Sequence, residues 1–136
     1  TCSTCIGSDG VTLVVTGSSA SNIGDIQING GATVELKAPA TGHYAGLVLY
    51  KDRLSDGSGT NRLNGGSDMF LKGGIYAPTE RLDFIGGTDL PGCIQMVALF
   101  IDFSGNSYLQ NDAAVCADVG LGGSSTTEQL QVVLLP

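Results

Sequence analysis

The chain has 136 residues and a net charge of −7, with 42% hydrophobic and 14% charged residues. This length predicts a single domain, and the apolar content is too high for a disordered chain. The negative charge argues against nucleic acid as a partner, because binding phosphates requires an excess of Lys and Arg.

Short strands dominate the chain, and each is bounded by Gly, Pro, Asn or Ser. The predicted strands cover residues 11–16, 25–28, 33–37, 46–50, 68–72, 74–76, 81–84 and 94–103. No segment keeps the apolar spacing of a helix for three turns, so we expect an all-β domain. The longest apolar run, 96–101, is shorter than the roughly 20 residues that span a bilayer and is interpreted as a buried strand.

An internal repeat sets the expected architecture. Residues 28–37 align with residues 63–72 at a constant offset of 35 positions. A repeat of this length favours a short right-handed parallel β-helix, a solenoid in which successive coils bury each other's faces. The predicted Gly/Asn corners are Asn29, Gly30, Gly31, Asn64, Gly65 and Gly66. An antiparallel β-sandwich is the alternative, because Asn-Gly is also a hairpin signal.

The domain boundaries follow from composition. Residues 1–119 are assigned to the β-helix domain and residues 120–127 to a linker rich in Gly, Ser and Thr. Residues 128–136 are predicted to form a C-terminal strand that packs back on the body, since this apolar strand would aggregate if exposed. The chain starts at Thr1 without a signal peptide, and we expect it to be a processed or truncated piece of a longer protein.

Four cysteines bear on the cellular compartment. An even number of cysteines in a small acidic chain favours disulfides and an oxidising environment. A four-cysteine zinc site is the competing interpretation, because Cys2 and Cys5 have the spacing of a zinc knuckle. Cys93 and Cys116 do not form a second pair of that spacing, so disulfides are favoured.

Clustered acids would be the mark of a polysaccharide-cleaving enzyme. Asp52 and Asp56 flank a loop that also holds Lys51 and Arg53, and this loop is interpreted first as a solvated connection. The single histidine, His43, cannot by itself build a hydrolase triad or a histidine-based zinc site. We therefore predict no catalytic residue.

Two aspartates occupy matching positions between apolar residues. Asp83 in the segment Leu-Asp-Phe corresponds to Asp102 in the segment Ile-Asp-Phe. Like charges on adjacent strands repel each other, and a bridging cation would remove that cost. Asp83 and Asp102 are therefore weak candidates for calcium ligands, and no other metal or cofactor is expected.

Several motifs follow one another in an order found in a known family. They are residues 10–17 (GVTLVVTG), 28–39 (INGGATVELKAP), 44–52 (YAGLVLYKD), 74–84 (GIYAPTERLDF) and 103–109 (FSGNSYL). Together they resemble the C-terminal region of TadE/TadG-like proteins of the Flp (Tad) pilus assembly system, over about residues 11–116. The Cys93/Cys116 pair fits the same pattern, which makes these two cysteines the first candidates for a disulfide, with Cys2 and Cys5 as a further candidate pair.

The resemblance implies a cell-envelope protein with an N-terminal membrane anchor, which this sequence does not contain, and a β-rich domain outside the cytoplasm. We therefore expect a non-enzymatic structural or interaction module of pilus or envelope assembly, in the periplasm, on the cell surface or in an extracellular pilus. Its expected partners are other pilus or envelope proteins, with self-association through the open solenoid ends. The alternative is a surface adhesin or carbohydrate-binding domain, and a polysaccharide-active enzyme is the weakest hypothesis.

Overall fold

The computed structural model describes residues 10–31, 34–64, 69–85, 91–105 and 110–122. This part of the chain contains nine strands, a short 3-10 helix at Ala20–Asn22 and one short helix, α1, at Ala113–Ala117. The strands are β1 (Leu13–Val15), β2 (Gln27–Ile28), β3 (Val34–Lys37), β4 (Leu47–Lys51), β5 (Thr60–Asn64), β6 (Met69–Ile85), β7 (Pro91–Gly92), β8 (Ile94–Ser104) and β9 (Gln110–Asn111).

Strand β6 organises the main sheet. It pairs in succession with β3, β4 and β5, and β8 pairs with β6 over most of its length. Strand β1 extends the sheet beyond β4, and β2 extends it beyond β5. All of these pairings are parallel, as is the separate pairing of β7 with β9.

The sequence repeat correctly predicts which residues lie side by side. Ile28 pairs with Leu63, and Leu36 pairs with Leu71, both at the predicted offset. Asn64 also lies close to the first repeat, because a Cβ added to Gly30 would be 3.4 Å from the Asn64 Nδ2 atom. The repeat therefore identifies residues that lie opposite each other on paired parallel strands.

The predicted fold class is nevertheless wrong. The strands form a curled, all-parallel half-barrel sheet, and the closed coils of a β-helical solenoid are not shown. The antiparallel sandwich is also wrong, because every strand pairing in the described ranges is parallel. The Asn-Gly pair at Asn29 is accordingly not a hairpin turn between paired neighbours.

The length of β6 gives a physical reason for this correction. Three segments that were predicted as separate strands merge into one strand of 17 residues. Within this strand Gly73 has a φ of +142°. The register of β6 against β8 shifts between Ala77 and Arg81, around a proline that cannot donate to a ladder. One continuous strand with these two irregularities therefore stands where the sequence predicted corners between short strands.

The core consists of apolar side chains from the parallel strands. Leu63, Leu71, Ile75, Leu82 and Phe84 are almost completely buried and belong to one cluster. Burial of each such side chain stabilises the fold by about 1.5–3 kcal/mol relative to exposure. The core thus holds the strands that carry the polar groups described below.

Helix α1 and the segment after it cover one part of this core. Asp112 caps α1 by accepting hydrogen bonds from the backbone N–H groups of Ala114 (2.8 Å) and Val115 (3.2 Å). Leu121, in the first part of the predicted linker, packs against the core. Residues 123–127 of that linker and the predicted C-terminal strand lie outside the described residues.

Candidate functional site

A polar cluster lies within the otherwise apolar interior. Lys51, Asn61 and Glu80 have no measurable exposure as whole residues, and Ser55 is 7% exposed. Lys51 ends β4, Asn61 lies on β5 and Glu80 lies in the irregular part of β6, so the parallel sheet brings the three together. Charged residues are almost never fully buried unless they are paired, so this cluster is the most unusual chemical feature of the described chain.

Glu80 is the hub of the cluster. Its Oε1 atom lies 3.3 Å from the Lys51 Nζ atom and accepts a hydrogen bond from the Ser55 hydroxyl. Its Oε2 atom accepts a hydrogen bond of 3.0 Å from the Asn61 Nδ2 atom. A single carboxylate therefore contacts both the amine and the carboxamide nitrogen.

The Asn61 carboxamide is held at both ends. Its Oδ1 atom accepts hydrogen bonds from the Ile26 backbone N–H (2.9 Å) and from Lys51 Nζ (3.2 Å). Its Nδ2 atom also donates to the Arg81 carbonyl oxygen at 3.3 Å. These bonds satisfy the buried amide and fix its orientation, which is what allows a polar residue in this position.

A small cleft opens next to the cluster. Its volume is about 130 Å³ and its lining is mostly polar, including Asp25, Ser55, Asp56 and Ser58. Asp25 connects the cleft to the interior, because its Oδ1 atom lies 3.2 Å from Lys51 Nζ while its side chain is 34% exposed. Water or a small polar group can reach Asp25, whereas Glu80 lies behind it.

The two aspartates that the enzyme hypothesis depends on organise their own loop. Asp52 accepts hydrogen bonds from the Leu54 backbone N–H (3.0 Å) and the Thr16 hydroxyl (2.7 Å). These two bonds, the backbone one first, hold the pKa of Asp52 below its ordinary value. Asp56 accepts bonds from the hydroxyl and the backbone N–H of Ser58, which lower its pKa in the same way. The hydrogen bonds of both carboxylates are therefore made to groups of their own loop and to Thr16.

The candidate calcium ligands are adjacent, as predicted. Asp83 pairs with Asp102 in the register of β6 and β8. Arg81 lies between their carboxylates, with Nε 2.7 Å from Asp83 and Nη2 2.7 Å from Asp102. The guanidinium thus supplies the positive charge that a bridging cation would supply, and both carboxylates raise the pKa of Arg81, with the Asp83 hydrogen bond as the main cause. Among the described residues, no group of three or more His, Cys, Asp or Glu could hold a metal ion.

Strand β8 exposes a row of large apolar side chains. The most exposed are Phe100 (66%), Leu99 (60%) and Val97 (50%), and Phe103 and Ile101 are also exposed. In the described part of the chain β8 pairs only with β6, so it forms an edge of the main sheet. An exposed apolar edge strand is a surface on which another chain can add a strand.

Tyrosines form a second surface feature on the neighbouring strands. Tyr50 and Tyr76 stack with their ring centroids 5.5 Å apart, and Tyr44 contacts Tyr50 at 5.4 Å. Arg53 lies over the Tyr76 ring and donates a hydrogen bond to its hydroxyl. His43 packs edge-on against Tyr44 and thus continues this aromatic row.

The structure joins Cys93 and Cys116 in a disulfide. Both residues are buried, and the bond connects the start of β8 to α1. This confirms that these cysteines form a disulfide and indicates an oxidising environment outside the cytoplasm. Cys2 and Cys5 lie outside the described residues. Within the described ranges, no helix is long and apolar enough to cross a membrane.

The predicted corners are only partly within the described ranges. Asn29, Gly30 and Gly31 follow β2, and Gly31 has a φ of +87°, which favours glycine. Asn64 is the last residue of β5, and Gly65 and Gly66 lie outside the described residues.

Sequence reasoning missed the buried cluster. The only signal for it was the density of charge around Lys51, and Asn61 and Glu80 carry no local motif. Comparison with known proteins adds no further information, since no family model, curated protein or solved structure matches the chain.

Proposed function

We propose that the protein is a non-enzymatic interaction module of envelope assembly outside the cytoplasm, and specifically of Flp (Tad) pilus assembly. The single observation that carries this proposal is the exposed apolar edge of β8, with Leu99 and Phe100 more than half exposed. A partner protein adds a strand to this edge and covers those side chains. The resemblance of the motifs to TadE/TadG-like proteins supplies the kind of partner, a pilus or envelope protein.

Burial of these side chains gives the partner its affinity. Large apolar residues contribute about 25 cal/mol for each Å² removed from water, and backbone hydrogen bonds along the edge fix the register. A charge placed in such an interface loses hydration without finding a counter-ion, so it weakens binding strongly. The disulfide between Cys93 and Cys116 holds the start of β8 in place in an oxidising compartment.

Replacement of Leu99 by Asp tests this function in cells that encode the protein. We expect Leu99→Asp to reduce the number of surface pili seen by electron microscopy to the level of a strain that lacks the protein. Leu54→Asp is the matched control, since Leu54 is also an exposed leucine (51%) but lies in the loop after β4. Normal pili in the strain that lacks the protein would contradict the pilus role.

A carbohydrate-binding surface is the second candidate function, and the row of Tyr44, Tyr50 and Tyr76 favours it. Flat aromatic rings offer faces on which the C–H groups of sugars can pack, and the adjacent Arg53 offers hydrogen-bond donors. In this case Tyr76→Ala abolishes binding to envelope polysaccharide in a calorimetric titration, whereas Leu99→Asp leaves it unchanged. Absence of binding by the unmodified protein would reject this candidate.

A further inference from the structure

Three reactive groups are in contact inside the protein. The Lys51 amine lies 3.2 Å from the Asn61 Oδ1 atom, and the Glu80 carboxylate contacts the amine at 3.3 Å and the Asn61 Nδ2 atom at 3.0 Å. The Lys51 side chain is 1% exposed and the Glu80 side chain is not exposed. An amine, a carboxamide and a proton carrier thus lie together in a place that water barely reaches.

We propose that Lys51 and Asn61 form a covalent isopeptide bond with each other, with release of ammonia and with Glu80 as the group that transfers the protons. The new bond joins Lys51 Nζ to Asn61 Cγ. It converts the side-chain carboxamide into a secondary amide that links β4 to β5. The reaction is a single self-modification of the chain, and it is independent of the proposed role in pilus assembly.

The first part of the reaction forms the new bond. Glu80 takes a proton from the Lys51 ammonium, which leaves a neutral amine with a free electron pair. This pair attacks Asn61 Cγ, and the carbonyl electrons move onto Oδ1. The Ile26 backbone N–H, 2.9 Å from Oδ1, donates a hydrogen bond to the oxygen on which the negative charge develops.

The second part breaks the old bond. Glu80 gives its proton to Nδ2 and takes a proton from the attacking nitrogen. The bond between Cγ and Nδ2 then breaks, Nδ2 leaves as ammonia, and the carbonyl re-forms. All five hydrogens of the ammonium and the carboxamide are accounted for, since three leave with ammonia, one stays on the new amide and one stays on Glu80.

The fold supplies what this reaction lacks in water. Strands β4 and β5, which both pair with β6, hold the amine next to the carboxamide. Such positioning replaces a bimolecular encounter by an intramolecular step. Hydrogen bonds from Asn61 Nδ2 to Glu80 and to the Arg81 carbonyl fix the leaving nitrogen beside the acid that protonates it.

The mass of the intact purified chain tests the proposal. We expect a mass lower than the calculated one by one ammonia, in addition to the hydrogens lost in disulfides. After reduction and digestion with trypsin, residues 38–53 should remain joined to residues 54–62, because an acylated Lys51 is not cleaved and the cross-link bridges the cut after Arg53. Fragmentation should place the link between Lys51 and Asn61.

Variants separate the reaction from the fold. Glu80→Gln keeps the shape of the carboxylate but cannot accept the proton. We therefore expect the full mass, cleavage after the free Lys51, and residues 38–51 separate from residues 54–62. Lys72→Arg is the matched control, since Lys72 is a part-buried lysine paired with Asp118, and this variant should keep the ammonia loss.

Two results would overturn the proposal without any variant. One is the full calculated mass for the folded wild-type chain. The other is an ammonia loss that fragmentation assigns to Asn29-Gly30 or Asn64-Gly65, where an asparagine can cyclise onto its own backbone. Because both results come from the chain without substitutions, poor folding of Glu80→Gln cannot obscure them.

Discussion

Asn61 illustrates how a single polar residue can be stable in a core of this kind. Its carboxamide oxygen accepts two hydrogen bonds and its nitrogen donates two, so burial leaves neither atom without hydrogen-bond partners. Sequence reasoning missed β5, because Thr60–Asn64 contains one apolar residue, Leu63. The strand forms because Asn61 and Leu63 both point inward, and only the partners of Asn61, distant in sequence, make that possible.

Gly73 has the most unusual backbone conformation within β6. Its φ of +142° is one that side-chain-bearing residues rarely adopt, and an added Cβ would lie 2.5 Å from the Ala38 Cβ. We expect Gly73→Ala to lower the free energy of unfolding by roughly 2–4 kcal/mol, from backbone strain together with overpacking. Urea unfolding measures this change.

Gly24→Ala is the control for that substitution. A Cβ at Gly24 would meet no atom within 4 Å, and its φ is not in the left-handed region. We expect it to change the free energy of unfolding by less than about 0.5 kcal/mol. Equal effects of the two substitutions would show that Gly73 is not under special constraint.

The lowered pKa of the loop residue Asp52 leads us to expect that the folded state loses stability in acid. Its pKa is held below the ordinary value of 3.8 by the Leu54 backbone N–H and then by the Thr16 hydroxyl. The folded state therefore binds this proton less tightly than the unfolded state. Asp52 contributes stability that is present above the ordinary pKa and is lost as the pH falls through the lower, folded value.

Thr16→Val isolates the part of this effect that comes from the hydroxyl. The variant should be less stable than the wild-type protein near neutral pH, and the difference should shrink in acid, as the pH falls through the lowered pKa of Asp52. Urea unfolding at both pH values measures the two differences. A difference that stays constant with pH would mean that Thr16 acts through packing and not through the carboxylate.

At the scale of elements, pattern and spacing predicted strands better than they predicted where strands end. The 35-residue repeat predicted the pairing of β3 with β6, because apolar residues in matching positions pack side by side in a parallel sheet. It did not predict that β6 is continuous, because a glycine and a proline usually interrupt strands. Helix α1 escaped detection because a single turn is too short for a helical apolar pattern.

The disulfide attaches α1 to the sheet. Helices this short are unstable alone, and Cys116 attaches α1 to Cys93 at the start of β8 across 23 residues. Replacement of both cysteines by Ala should lower the free energy of unfolding by about 3 kcal/mol, which is the chain-entropy value for a loop of this length. Thermal and urea unfolding of the double variant test this, and a loss below about 1 kcal/mol would contradict it.

For the whole molecule, the arrangement of strands decides where chemistry is possible. A parallel sheet brings together residues that are distant in sequence, which is why Lys51, Asn61 and Glu80 meet although no motif connects them. Strand patterns predicted an all-β chain, and the described residues are mostly strand with two short helices. The buried cluster depends on the curl of the sheet and on the irregular part of β6, and neither can be inferred from local residue patterns.

The uneven spacing of the paired strands implies an order of folding. Side-chain hydrogen bonds between strands span 36 residues at Thr16–Asp52 but 21 residues at Arg81–Asp102. Shorter loops lose less chain entropy on closure, so β6 and β8 should pair before β1 joins β4. Pulse-labelled hydrogen exchange during refolding should protect amides of β6 and β8 first, and earlier protection of β1 would contradict this order. The exposed apolar edge of β8 would then be present from the earliest stage of folding. A partner could bind it before folding is complete.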